Sequence, residues 1–129
     1  MENFWERMFG RLYENPGFVL SANDECMFYK GSSRDREGYA RMRFRVPGIV
    51  REKETSAHRM AKMVQLKTLH LGEGDASHRC HNKLCINPEH ICIEDTKVNN
   101  ARKVCVARGK CIGHDSHPTC LLDMRQGRF

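Results

Sequence analysis

Residues 76–120 read ASHRCHNKLCINPEHICIEDTKVNNARKVCVARGKCIGHDSHPTC, and they hold six of the chain's seven cysteines and five of its seven histidines. Cys80, Cys85 and His90 follow the spacing C-x4-C-x4-H around an Asn87-Pro88 turn. Three soft or borderline donors can converge in such a loop, and tetrahedral zinc then needs a fourth. Cys26, the one cysteine in the N-terminal half, completes the set. A second group follows as Cys105-x5-Cys111-x2-His114 with Cys120 beyond it, and His117 is a rival nitrogen donor. Both sets are full, so both read as closed structural sites without an open position. Cys92 is left over between Ile91 and Ile93 and reads as a small buried hydrophobe.

The rest of the chain favours zinc over disulfides. The N-terminal MENFWERMFGRLYENP carries charge throughout and has no apolar core, so no secretory signal is expected. No apolar run approaches the roughly 18 residues that span a bilayer, so no membrane partner is expected. An odd cysteine count in an intracellular chain, here expected in the nucleus, points to metal ligands. At 129 residues, 40% apolar, with a mean hydropathy of −0.65, the chain reads as one domain with a modest core. Metal binding worth about 10 kcal/mol or more per site would replace part of that core.

Flanking elements follow from periodicity. Phe4, Met8 and Leu12 recur at helical spacing, so residues 2–14 read as an amphipathic helix stopped by Pro16-Gly17. Short strands are expected at 18–20 and 26–30. In the stretch 39–46, YARMRFRV, period two puts Arg41, Arg43 and Arg45 on one strand face and Ala40, Met42, Phe44 and Val46 on the other. Thr55 or Ser56 caps a helix over 57–67, in which His58 reads as structural. Residues 76–80 and 90–94 read as two strands, and Asp95 or Thr96 caps a helix that carries Asn99. Asp75, Glu94 and Asp95 read as cap or turn residues, with Glu94 a possible support for a metal's water shell. Net charge is +6 overall, concentrated as +6 over residues 31–72 and +4 over 101–129, which suggests a polyanionic partner.

The string His78-Arg79-Cys80-His81-Asn82, followed by Cys85, Asn87-Pro88, His90 and Asn99, resembles the His-Cys box homing endonucleases, intron-encoded members of the ββα-metal (His-Me finger) nucleases. The likeness is nearly continuous over 75–127 and reaches back more loosely to Cys26, Gly38 and Arg41. It implies a small α+β fold braced by zinc, with a DNA-binding sheet and helix over 26–72, a catalytic ββα-metal core over 75–104 and a second zinc loop over 105–120. It implies His78, two positions before the first box cysteine, as general base. It implies Asn99, nine positions after the box histidine, as ligand of a catalytic Mg2+, with Mn2+ or Ca2+ able to take its place. Asn100 would point about 100° around the helix. The resemblance also implies Arg41 as a contact to the scissile phosphate. Its zinc ligands carry over as Cys26, Cys80, Cys85 and His90, then Cys105, Cys111, His114 and Cys120.

Phosphodiester hydrolysis needs a base for water, a cation on the phosphate and leaving oxygens, and positive charge for the developing phosphorane. His78, Asn99 and Arg41 supply these in turn. A β-ribbon bearing Arg41, Arg43 and Arg45 fits the major groove of double-stranded DNA. Cutting both strands with one site per chain favours a C2 homodimer. The residues LLDMRQGRF after Cys120 are too few to embrace a partner, so its interface would draw on 105–120 or on Trp5, Phe9 and Tyr13. The alternative function is a non-catalytic zinc module that binds DNA or protein.

Overall fold

A computed structural model describes residues 2–22, 25–114 and 116–124 of the chain. Of the sequence after Cys120, residues 125–129 therefore lie outside the described residues. The first helix, α1 (Glu2–Tyr13), buries Phe4, Met8 and Leu12 as its spacing requires, and Trp5 beside them. Phe9, on the flank of the stripe, stays half exposed. A two-stranded antiparallel pair follows, β1 (Phe18–Leu20) with β2 (Met27–Tyr29).

The arginine-rich segment forms β3 (Arg41–Phe44), paired antiparallel with β4 (Lys53–Ser56) so that Arg43 stands opposite Glu54. Ala40, Met42, Phe44 and Val46 are buried, as the alternation predicts. Phe44 meets Phe4 of α1 at 6.0 Å between ring centroids, which closes the core between the ribbon and the helix. Two details differ from the sequence reading. Arg45 lies past the end of β3, where its guanidinium donates to the Val50 carbonyl at 2.7 Å. The partner strand β4, with its run Lys53-Glu54-Thr55-Ser56, carries no apolar alternation to announce it; pairing with β3 makes it a strand.

Ser56 ends β4 and caps α2 (Ala57–Leu66), its hydroxyl accepting from the Arg59 amide at 3.3 Å. This helix packs on α1 and supplies Met60, Ala61, Met63 and Val64 to the same core. Beyond it, β5 (Asp75–His78) pairs antiparallel with β6 (Ile91–Glu94), Asp75 opposite Glu94 and His78 opposite Ile91. Asp95 then caps α3 (Thr96–Arg108), accepting from the Val98 amide at 2.9 Å. This is the expected β-β-α unit, with strands that stop short of residues 79–80 and 90. Cys80 sits in a turn and His90 in the one-turn 3-10 helix Pro88–His90, because the donors must leave the ladder to converge. No described helix is long and apolar enough to cross a membrane.

Candidate functional site

Two clusters of metal donors stand out among the described residues. Cys26, Cys80, Cys85 and His90 form the first, all buried, and Cys105, Cys111, His114 and Cys120 the second. Within each, the donor atoms all lie within 4.8 Å of one another. In the first, His90 Nδ1 is 3.5 Å from Cys26 Sγ and 3.6 Å from Cys85 Sγ. In the second, His114 Nε2 is 3.7, 3.5 and 3.5 Å from the sulfurs of Cys105, Cys111 and Cys120. Zn–S and Zn–N bonds at a tetrahedral angle give an S···N edge of about 3.5 Å, so both sets fit structural zinc. Of the two candidate histidines, His114 is the one grouped with the three sulfurs. His117 turns its Nδ1 toward Glu94 instead, at 3.6 Å. Around the first cluster, Asn82 donates to Cys26 Sγ at 3.0 Å, an outer contact that steadies a thiolate ligand.

A cleft of about 590 Å³ opens beside the first cluster and gathers His78, Asn99, Arg41, His58 and Asp75 at its walls. His78 ends β5, and its Nε2 lies 2.8 Å from the Cys85 carbonyl. A carbonyl can only accept, so the ring proton sits on Nε2 and Nδ1 keeps a lone pair. Burial lowers the His78 pKa to about 4, against the opposing pull of the Cys85 contact, so the ring is neutral at pH 7.

On the first turns of α3, Asn99 donates through Nδ2 to Asp75 Oδ2 at 3.3 Å, while its Oδ1 accepts from the Ser77 hydroxyl at 2.9 Å. These contacts fix which end of the amide is the oxygen. Asn100, exposed, has no place in the cleft wall. Arg41 is held by Glu54 at 3.0 Å, and that contact keeps the Glu54 carboxyl below its usual range. Arg43 also faces Glu54, at 3.5 Å, and Glu52 at 3.9 Å. The arginine face is thus interleaved with carboxylates and is less cationic than its sequence suggests.

A sequence profile of the zinc-binding loop region of homing endonucleases matches residues 25–127, from the residue before Cys26 to well past Cys120. The chain belongs to this homing endonuclease family. Comparison with the curated proteins and with the solved structures gives no match. A homing endonuclease zinc region spanning both clusters accounts for their paired Cys3His composition, and the family is one of DNA-cutting, DNA-binding proteins.

Several cleft residues of this family member escaped sequence reading. His58 was expected to be structural, yet its ring stands 4.2 Å from that of His78, centroid to centroid, with Tyr39 parallel to His78 at 6.1 Å. His58 Nε2 donates to the Ala76 carbonyl at 3.0 Å, and its buried Nδ1 has no partner. Burial first, and then the neighbouring His78, hold its pKa well below the usual histidine range. Asp75 begins β5 rather than making a turn, and it accepts from Thr96 Oγ1 at 3.0 Å as well as from Asn99. Asp75 and Ser77 share one strand face by period two, which is the signal that pairs them on Asn99. Glu94 neither caps nor faces the cleft: it is buried against Arg102. Cys92 is half-buried, not part of a core.

Proposed function

We propose that the protein hydrolyses phosphodiester bonds of double-stranded DNA with His78 as general base, Asn99 as ligand of a catalytic divalent cation and Arg41 as the contact to the scissile phosphate. The observation that carries this reading is the Nε2–H of His78 fixed on the Cys85 carbonyl, which leaves Nδ1 as a neutral acceptor in the same cleft as Asn99 and Arg41. Nδ1 takes the proton of the attacking water, and Tyr39 and His58, packed together against the ring, restrict its rotation.

The oxygen donors gathered by α3 and β5, Asn99 Oδ1 and the Asp75 carboxylate, suit a hard cation such as Mg2+, with Mn2+ or Ca2+ as substitutes. When bound, such a cation supplies charge stabilisation at the phosphate and leaving oxygens. Asp75 sets the orientation of the Asn99 amide before any cation arrives. Arg41 exchanges Glu54 for a phosphate oxygen, a swap of one charge-assisted bond for another.

The β3–β4 ribbon carries Arg41 and the exposed Arg43 toward the groove, and Arg45 follows at the ribbon's tip. Cutting both strands calls for two such clefts, which two chains on a twofold target would bring; light scattering of the DNA complex measures their number. The reading is tested by incubating supercoiled plasmid with purified protein in Mg2+ and in Mg2+-free buffer. Cleavage only with Mg2+ supports it, whereas DNA retention in a gel without any cleavage favours a non-catalytic zinc module.

A further inference from the structure

The chemistry proposed for the cleft makes no use of the second zinc cluster, yet buried side chains connect the two. Arg102 lies on α3 three residues after Asn99, and its side chain is 1% exposed. Its Nε donates to Glu94 Oε2 at 2.5 Å and its Nη2 to Glu94 Oε1 at 2.8 Å. Nη2 also donates to the Pro118 carbonyl at 2.9 Å, and Nη1 to Cys120 Sγ at 3.4 Å. Glu94, fully buried, stands opposite Asp75 in the β5–β6 pair, and Asp75 Oδ2 accepts from Asn99 Nδ2 at 3.3 Å.

Charge arithmetic explains why a buried arginine is tolerated here. A zinc ion with three thiolates and one neutral imidazole carries a net charge of about −1, and Glu94 carries another. Arg102 is the one cation among the groups bonded in this relay, so two anions share it, and His117 adds a second partner to Glu94 when protonated. Burial would push Glu94 up, but its bonds to Arg102 outweigh this and hold it below the usual carboxylate range. Removing the guanidinium would leave two buried negative groups with their partner gone, the costly case for buried ion pairs.

We propose that Arg102 is a positioning residue through which the second zinc site holds Asn99, by clamping α3 to Glu94 of β6 beside Asp75. The functional consequence rests on the reading of Asn99 as a cation ligand; the coupling itself does not. A thiolate cluster that loses its N–H donor binds metal less tightly, and a Glu94 that loses its counter-ion no longer ties α3 to the strand pair that carries Asp75. The second cluster is then more than a clip on the end of α3.

The experiment is Arg102→Lys, which keeps a positive charge but replaces a fork reaching three groups with one ammonium. With the chelator 4-(2-pyridylazo)resorcinol, one of the two zinc ions is expected to leave about 10-fold faster than in the wild type, the scale typical of lost outer-shell partners, and the other at the wild-type rate. In a 15N-labelled sample, the side-chain amide resonances of Asn99 are expected to shift. The Mg2+ concentration for half-maximal plasmid cleavage is expected to rise while DNA affinity stays put. Wild-type zinc release, or unmoved Asn99 resonances, would overturn the proposal.

Should Arg102→Lys fail to fold, Cys111→Ser opens the second cluster while leaving Arg102, Glu94 and Asp75 intact. Shifted Asn99 resonances there support the coupling, and unmoved ones overturn it. If the wild type cuts no plasmid, the nuclease reading fails, and the zinc and resonance measurements still decide the coupling.

Discussion

His78 donates through Nε2 to the carbonyl of Cys85 at 2.8 Å, so the imidazole in the cleft is aimed by a residue whose thiol belongs to the first zinc cluster. The proposed base and its brace are therefore one unit. Opening that cluster is expected to release the Cys85 loop, and with it the tautomer and tilt of His78. Cys85→Ser, or zinc stripped with 1,10-phenanthroline in saturating Mg2+, should abolish plasmid cleavage. A variant lacking the first zinc that still cuts at the wild-type rate would separate the orientation of His78 from the zinc loop.

His78→Ala removes the proposed base and none of the arginine ribbon. The expected loss in cleavage rate is about 10²- to 10⁴-fold, the usual weight of general acid–base catalysis, with DNA affinity changed only a few-fold. Asn99→Ala should behave similarly and also raise the Mg2+ requirement, because Asp75 alone cannot replace the amide oxygen. Gel retardation and single-turnover cleavage on the same DNA separate the two effects. Wild-type rates in either variant would place the chemistry elsewhere.

The β-β-α unit, the helix caps and the donors other than Cys26 could be read from the sequence because each rests on local spacing, and Cys26 because it stands alone in the N-terminal half. Asp95 caps α3 and Ser56 caps α2 through side-chain oxygens a few residues from the amides they meet. What the sequence hid depends on contacts between distant segments. His58 joins His78 across 20 positions of chain, and Glu94 meets Arg102 only because α3 folds back on β6. Likewise β4 is a strand because β3 lies beside it, and Glu54 neutralises arginines that looked free. The rival His117 had the same residue type as His114 nearby in sequence, and only geometry tells them apart.

The ribbon's arginines differ in what they give up on binding DNA. Arg43 is 72% exposed and paired loosely with Glu52 and Glu54, contacts that contribute little at the surface. Arg43→Ala should leave folding stability nearly unchanged while lowering by about one the slope of log affinity against log salt, as expected for one lost phosphate contact. Glu54→Gln should do the opposite to affinity, because it frees both Arg41 and Arg43 of a competing carboxylate. Titrations of a labelled duplex at several salt concentrations measure both. An unchanged slope in Arg43→Ala would remove that residue from the interface.

The cysteines offer the sharpest contrast in stability. Elemental analysis of the desalted protein should find about two zinc per chain, four protein ligands to each. Cys120→Ser should lower this to one, and more than a ligand is lost, since Cys120 Sγ also accepts from the buried Arg102. The region from Cys105 onward should then exchange its amide hydrogens freely while α1, α2 and their shared core stay protected. Cys92, half-buried on β6 and in neither cluster, is the control: Cys92→Ala should keep both zinc ions and cost at most about 1 kcal/mol. A folded Cys120→Ser that retains two zinc ions would mean that another donor, with His117 the nearest candidate, completes the second site.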